Sequence, residues 1–128
     1  MAKKKDNEKQ QALTKSEMQV MTILWNLDKP SDVKAVIDQY AEPKPAYTTV
    51  STFLTILQNK RFVDFEKGTG KTHLYYPIIS RENYTKQVMR DVKDNFFGGN
   101  ASSLLSFFVK EEKLSKEELE AIMKLIEK

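Results

Sequence analysis

Cysteine is absent from the chain, which removes disulfides, thiolate metal sites and thiol catalysis together. Histidine is nearly absent: His73 stands alone, and a single histidine without visible partners is a packing or surface residue rather than a metal ligand or catalytic base. No metal and no cofactor are expected. No apolar run approaches the length of a membrane span. Lys3-Lys4-Lys5 leads into Asp6-Asn7-Glu8 and not into a signal-peptide core, so the protein is expected to be cytoplasmic. Carboxylates such as Asp64 and Glu66 occur singly and form no acid/base pair. Gly70-Lys71-Thr72 imitates the end of a phosphate-binding loop, but Phe65 stands where that loop needs its first glycine. An enzyme is not expected.

The 128 residues provide for one small domain and an appendage. The net charge of +3 and a pI near 9.0 are compatible with nucleic acid without requiring it. Residues 1–79 hold 12 basic and 9 acidic side chains, whereas residues 80–128 hold nine of each. The basic excess therefore falls in the first part. Residues 1–12 read as a flexible N-terminal tail.

Residues 46–76 carry the strongest pattern. Val50, Phe53, Leu54 and Leu57 fall on one face of a helix. The opposite face is Thr48, Thr49, Ser51, Thr52, Thr55 and Gln58, where a merely solvated helix would favour Glu, Lys and Gln. Two readings fit it. Thr48 or Thr49 caps the helix after Pro45 and the remainder is neutral surface, or short hydroxyls approach phosphates and bases in a major groove. The hairpin downstream bears on that choice. After Lys60-Arg61, two short aromatic and β-branched segments, 62–66 and 72–76, flank a turn with two glycines and with Lys67 and Lys71 at its tip. Such a hairpin needs a further partner for stability, and its lysines suit a phosphate backbone. Helix, hairpin and basic tip together read as a winged helix-turn-helix, with Lys60, Arg61, Lys67, Lys71 and Thr72 joining the hydroxyl face as DNA-binding residues.

Upstream, Thr14-Lys15-Ser16-Glu17 is a capping box opening a helix that buries Met18, Met21, Leu24 and Trp25 along one stripe, with Val20 and Leu27 adjoining. Pro30 and Ser31 stop it and cap a second helix bearing Val33, Val36, Ile37 and Tyr40, which ends before Pro43 and Pro45. From residue 80 the character changes. Tyr84, Val88, Val92 and Phe96 repeat every four residues on an otherwise charged helix, and Gly98-Gly99 breaks it. Leu104, Leu105, Phe107, Phe108 and Val109 make a nearly continuous apolar run. A last helix opens with a Ser115-x-x-Glu118 capping box and buries Leu119, Ile122, Met123 and Ile126. Three such helices carry too much apolar surface to stand alone, and a second copy of the chain is the natural partner. The fold class is mainly α with a small β-hairpin wing. Residues 13–79 are the winged-helix DNA-binding domain, and 80–128 a helical dimerisation region.

The run Leu13-Thr-Lys-Ser-Glu-Met-Gln-Val-Met-Thr-Ile-Leu-Trp25, the Thr49-Val50-x-Thr52 core, Lys60-x-Phe62-Val63, Tyr75-Tyr76-Pro77 and the Gly98-Gly99 break before Ser103-Leu104 resemble the BlaI/MecI family of penicillinase and methicillin-resistance repressors. The resemblance implies a homodimeric repressor on an inverted-repeat operator of double-stranded DNA. It also implies relief by a membrane sensor metalloprotease that triggers a cut near Asn100-Ala101. The chain departs from the family at Ala101 and Ser102, where an aromatic residue is usual beside that bond, and at Thr48 and Ser51, where better-known members carry basic residues. Copper-responsive relatives end in a cysteine cluster, a switch closed to this chain. The rival reading is a winged helix serving as a protein-interaction module without DNA; such modules usually lose the hydroxyl face and charged wing that are kept here. Gly98-Gly99 has two readings also, a weak point open to protease or a plain C-cap and turn.

Overall fold

The computed structural model describes residues 12–126, and the expectation for the N-terminal lysines lies outside them. The chain divides into two compact units, one ending at Ser80 and the other beginning at Arg81. In the first unit, helix α1 spans Lys15–Leu27, α2 Val33–Asp38 and α3 Tyr47–Asn59, followed by strands β1 Val63–Lys67 and β2 His73–Pro77.

The Thr14 hydroxyl accepts from Glu17 N at 3.2 Å and Glu17 Oε1 accepts from Thr14 N at 3.1 Å, so the capping box that opens α1 is complete. Val20, Met21, Ile23 and Leu24 are its buried hydrophobic residues. Met18, Trp25 and Leu27 are only half-buried, because the inward face is rotated toward Ile23. The Trp25 indole N–H instead donates to Ile79 O at 2.9 Å, tying the chain beyond the hairpin to α1.

Ser31 does not cap α2. Asp32 does, its carboxylate accepting from Ala35 N at 2.8 Å. Ser31 is buried and exchanges two backbone hydrogen bonds with Tyr75, at 2.9 and 2.8 Å, which gives the hairpin its further partner. Helix α2 ends at Asp38, before Tyr40, and Lys44 Nζ closes it by donating to Asp38 O at 3.2 Å and Tyr40 O at 2.6 Å.

Helix α3 buries Val50, Leu54 and Leu57. Its end is a Schellman motif: Phe62 N donates to Leu57 O at 2.9 Å, Arg61 N donates to Gln58 O at 3.0 Å, and Arg61 turns left-handed at φ +67°. Phe62, fully buried, then leads into β1. The strands pair antiparallel with Val63 opposite Pro77 and Lys67 opposite His73. The loop closes through Gly68 N to Thr72 O at 2.8 Å, with Gly70 at φ +65°. All three helices and both strands feed one core.

The second unit contains α4 (Arg81–Phe96), α5 (Ala101–Glu112) and α6 (Lys116–Ile126), with α6 packed on both others. Gly98 and Gly99 break α4 from α5 with φ of +58° and +78°. Asn100 caps α5, accepting from Ser103 N at 3.1 Å, and the Ser115/Glu118 capping box opens α6. Leu104 is the single buried hydrophobic residue among the described residues here, and α4 buries none.

Candidate nucleic-acid interface

Helix α3 begins from Ala46, which makes no side-chain cap. Thr48 and Thr49 therefore lie within the first turn, and the capping reading of the hydroxyl face falls away. Thr48, Thr49 and Thr52 are exposed, and their hydroxyls make no hydrogen bond among the described residues. Each is free to donate and to accept. Thr55 differs, since its hydroxyl donates to Ser51 O at 3.1 Å and keeps only acceptor capacity. Ser51 is half-buried, on the side of α3 toward the hairpin.

Lys60 is engaged inside the unit. Its ammonium meets Glu17 Oε1 at 2.7 Å and donates to Ala12 O at 3.3 Å, and only 18% of its side chain is exposed. Burial pushes the Glu17 carboxyl up, but the hydrogen bond and charge of Lys60, with the bonds from Thr14, outweigh it and hold the group below its ordinary value of 4.5. Arg61 is exposed just beyond. In the wing, Lys67, Lys71 and Thr72 are all exposed, and neither lysine has an acidic partner among the described residues.

Between α2, the start of α3 and β2 runs an open groove of about 420 Å³. Lys34 and Asp32 line it from α2 and its cap, Tyr47 and Ser51 from α3, and Lys71, Thr72, His73 and Tyr75 from the wing. Sequence reasoning placed Ser51, Lys71 and Thr72 in an interface and missed Lys34, Tyr47, His73 and Tyr75. Tyr47 abuts the hydroxyl face and is 60% exposed, so its position was open to notice; Lys34 carried no signal, because only packing brings α2 beside the wing. His73 is exposed and stacks on Phe65 with ring centroids 4.0 Å apart and planes at 16°. Burial, and after it the neighbouring Tyr47 phenol, raises the Tyr75 hydroxyl above its ordinary range.

In the second unit, Tyr84, Val88, Val92, Leu105, Phe108, Leu119 and Ile122 are half-buried. Phe96, Phe107 and Met123 are exposed at 76, 48 and 39%. The side chain of Ile126 lies outside the described residues. Phe97, absent from the sequence-based set, stacks at a tilt against Phe107 at 5.8 Å. Leu105, Val109, Leu119 and Met123 line an apolar groove of about 290 Å³. Asn100 is exposed and Ala101 half-buried at the start of α5. Among the described residues no His, Asp or Glu cluster could hold a metal ion, and no helix is long and apolar enough to cross a membrane.

Residues 13–128 match the model of the family described as the penicillinase repressor. Similar proteins include the methicillin resistance regulatory protein MecI of Staphylococcus aureus (strain N315), 26% identical over 91% of this chain and 94% of that protein. The penicillinase repressor of Staphylococcus aureus is 23% identical, over 92% of this chain and 93% of its own. That of Bacillus licheniformis is 21% identical, over 90% and 89%.

Proposed function

The chain belongs to the penicillinase repressor family, and from that premise we propose that it is a sequence-specific, DNA-binding transcriptional repressor that holds an inverted-repeat operator as a homodimer. One observation carries the proposal: α3 presents Thr48, Thr49 and Thr52 exposed and unbonded beside a wing whose Lys67 and Lys71 have no acidic partner among the described residues. Helix α3 enters the major groove, where a threonine hydroxyl reaches base edges and its methyl meets a thymine methyl. The wing and Arg61 lie on the backbone and fix the register. Lys60 acts indirectly, by anchoring the end of α3 to α1 through Glu17.

Dimerisation belongs to the second unit, whose apolar side chains are mostly half-buried or exposed in the single chain. Two linked α3 helices then reach half-sites about 34–36 Å apart on one face of the duplex. Relief follows from a cut between Asn100 and Ala101, triggered by a membrane sensor metalloprotease. That bond sits in the capped first turn of α5, and opening this turn requires the loss of the Ser103 N–Asn100 Oδ1 and Leu104 N–Asn100 O bonds, at 3.1 and 3.3 Å. Cleavage there parts α5 and α6 from the DNA-binding unit and lowers dimer and operator affinity together.

The test is a mobility-shift series with a duplex from upstream of the protein's own gene, run across salt concentrations. The expected result is a specific shift that weakens steadily as salt rises. Absence of any shift, or one indifferent to both salt and sequence, would remove the proposal.

A further inference from the structure

The groove between α2, α3 and the wing has a buried floor with an unused donor. Tyr75 is only 7% exposed and lines the groove, yet its hydroxyl makes no hydrogen bond among the described residues. The Tyr75 hydroxyl is not sealed in the core, since Tyr40 carries the one buried hydroxyl without a partner among the described residues; it opens on the groove, where packing alone would be served as well by phenylalanine. Tyr47 and Ser51 line the same groove, with Lys34 on the α2 wall and Lys71 on the wing. The one carboxylate on the rim, Asp32, already accepts from Ala35 N at 2.8 Å. Two lysines against one carboxylate leave a single net positive charge among these three side chains, suited to a monoanion rich in acceptor oxygens.

We propose that this groove seats one phosphodiester of the DNA backbone, with the Tyr75 and Tyr47 hydroxyls donating to its oxygens and Lys34 and Lys71 supplying the charge. The assignment rests on the reading of the chain as a DNA-binding repressor and deepens it by bringing α2 and the floor of the core into the interface. The groove is open and has room for a stretch of sugar–phosphate chain. Its lysines lie on elements distant in sequence, so the seat exists only when the wing is packed against α2 through the Ser31–Tyr75 bridge.

The experiment measures duplex affinity of the full chain by fluorescence anisotropy across a salt series, for wild type, Tyr75→Phe and Lys34→Gln, with thermal midpoints beside it. Tyr75→Phe removes an unbonded hydroxyl, so its midpoint is expected to hold or rise, while affinity falls about threefold to tenfold with an unchanged salt slope. Lys34→Gln is expected to lower affinity and to reduce the slope of log affinity against log salt by about one unit. Wild-type binding in both variants overturns the seat while the repressor reading stands on the wild-type series; a wild type that binds no duplex overturns both. A fallen midpoint in Tyr75→Phe, in step with its affinity, shows a packing role and overturns the assignment of its hydroxyl. Inorganic phosphate replacing chloride at constant ionic strength separates the sources of the anion. Unchanged duplex affinity supports a diester seat, and release of the duplex that is lost in Tyr75→Phe shows a free-anion site and overturns it.

Discussion

Arg61 sits where a glycine would be easiest, at φ +67° directly after the end of α3. A side chain in the left-handed region is strained, and glycine at this position of a Schellman motif relieves it. Arg61→Gly is therefore expected to relieve up to about 1 kcal/mol of backbone strain in urea melts, offset by whatever the arginine's own interactions contribute, and to weaken DNA binding, because the guanidinium is lost. A variant both less stable and unaltered in binding would reverse the role given to this residue. Glu17 makes the opposite case, a charge kept for the fold. Its carboxyl is held below 4.5 by Lys60 and Thr14, so the pair's contribution is fully present above the ordinary glutamate range. It is lost as pH falls through that range to the lower folded value. Glu17→Ala is expected to cost about 1–3 kcal/mol at neutral pH, the value of a charged hydrogen bond, and the gap to wild type should narrow as acid protonates Glu17. Melts that stay parallel at all pH values would show that the ion pair adds nothing.

At the scale of the element, α3 carries a built-in comparison. Thr49 and Thr52 have unbonded hydroxyls among the described residues, whereas Thr55 already donates to Ser51 O. Thr49→Ala and Thr52→Ala should each leave the thermal midpoint unchanged and cost about 1–3 kcal/mol of specific affinity where a base contact is lost. Thr55→Ala should cost less, because its hydroxyl can only accept. Equal losses at all three positions would mean that the helix is read by shape and not by its hydroxyls. The apolar stripe of α3 was legible from its period, since Val50, Leu54 and Leu57 have no other way to leave water together. The caps were less so. Ser31 and Asp32 are both good capping residues, and the choice fell to Asp32 because Ser31 is drawn into pairing with β2.

Across the whole molecule, the core belongs almost entirely to the first unit, with Leu104 as the second unit's buried hydrophobic residue among the described residues. A fragment ending at Ser80 is expected to fold cooperatively, with Trp25 fluorescence as its reporter, and to sediment as a monomer. It should lose most operator affinity, because the two half-sites are no longer linked. A stable dimer of that fragment would place the self-association in the wrong unit. Charge is a weaker guide at this scale. Residues 12–79 hold eight basic and seven acidic side chains, so the DNA-binding unit is hardly basic in total. Its grip has to come from placement, with Lys67 and Lys71 unpaired among the described residues and Lys60 neutralised by Glu17.

Local regularities were written into the chain: helical and strand periods, the Thr14 and Ser115 capping boxes, the glycine turns, and the contrast between a stretch with a core and a stretch with stripes alone. These are decided by neighbours three to four positions apart or by steric limits on single residues, and they survive any arrangement of the elements. The family resemblance was legible for the same reason, through short motifs. Every contact between distant segments depended on the folded molecule. Lys60 looks like a free cation until Glu17 is brought to it, Ser31 looks like a cap until Tyr75 arrives, and Tyr75 looks like core until the groove leaves its hydroxyl without a partner among the described residues. Long-range packing sets which polar groups are satisfied inside the protein and which are left for a ligand, and no local pattern encodes that.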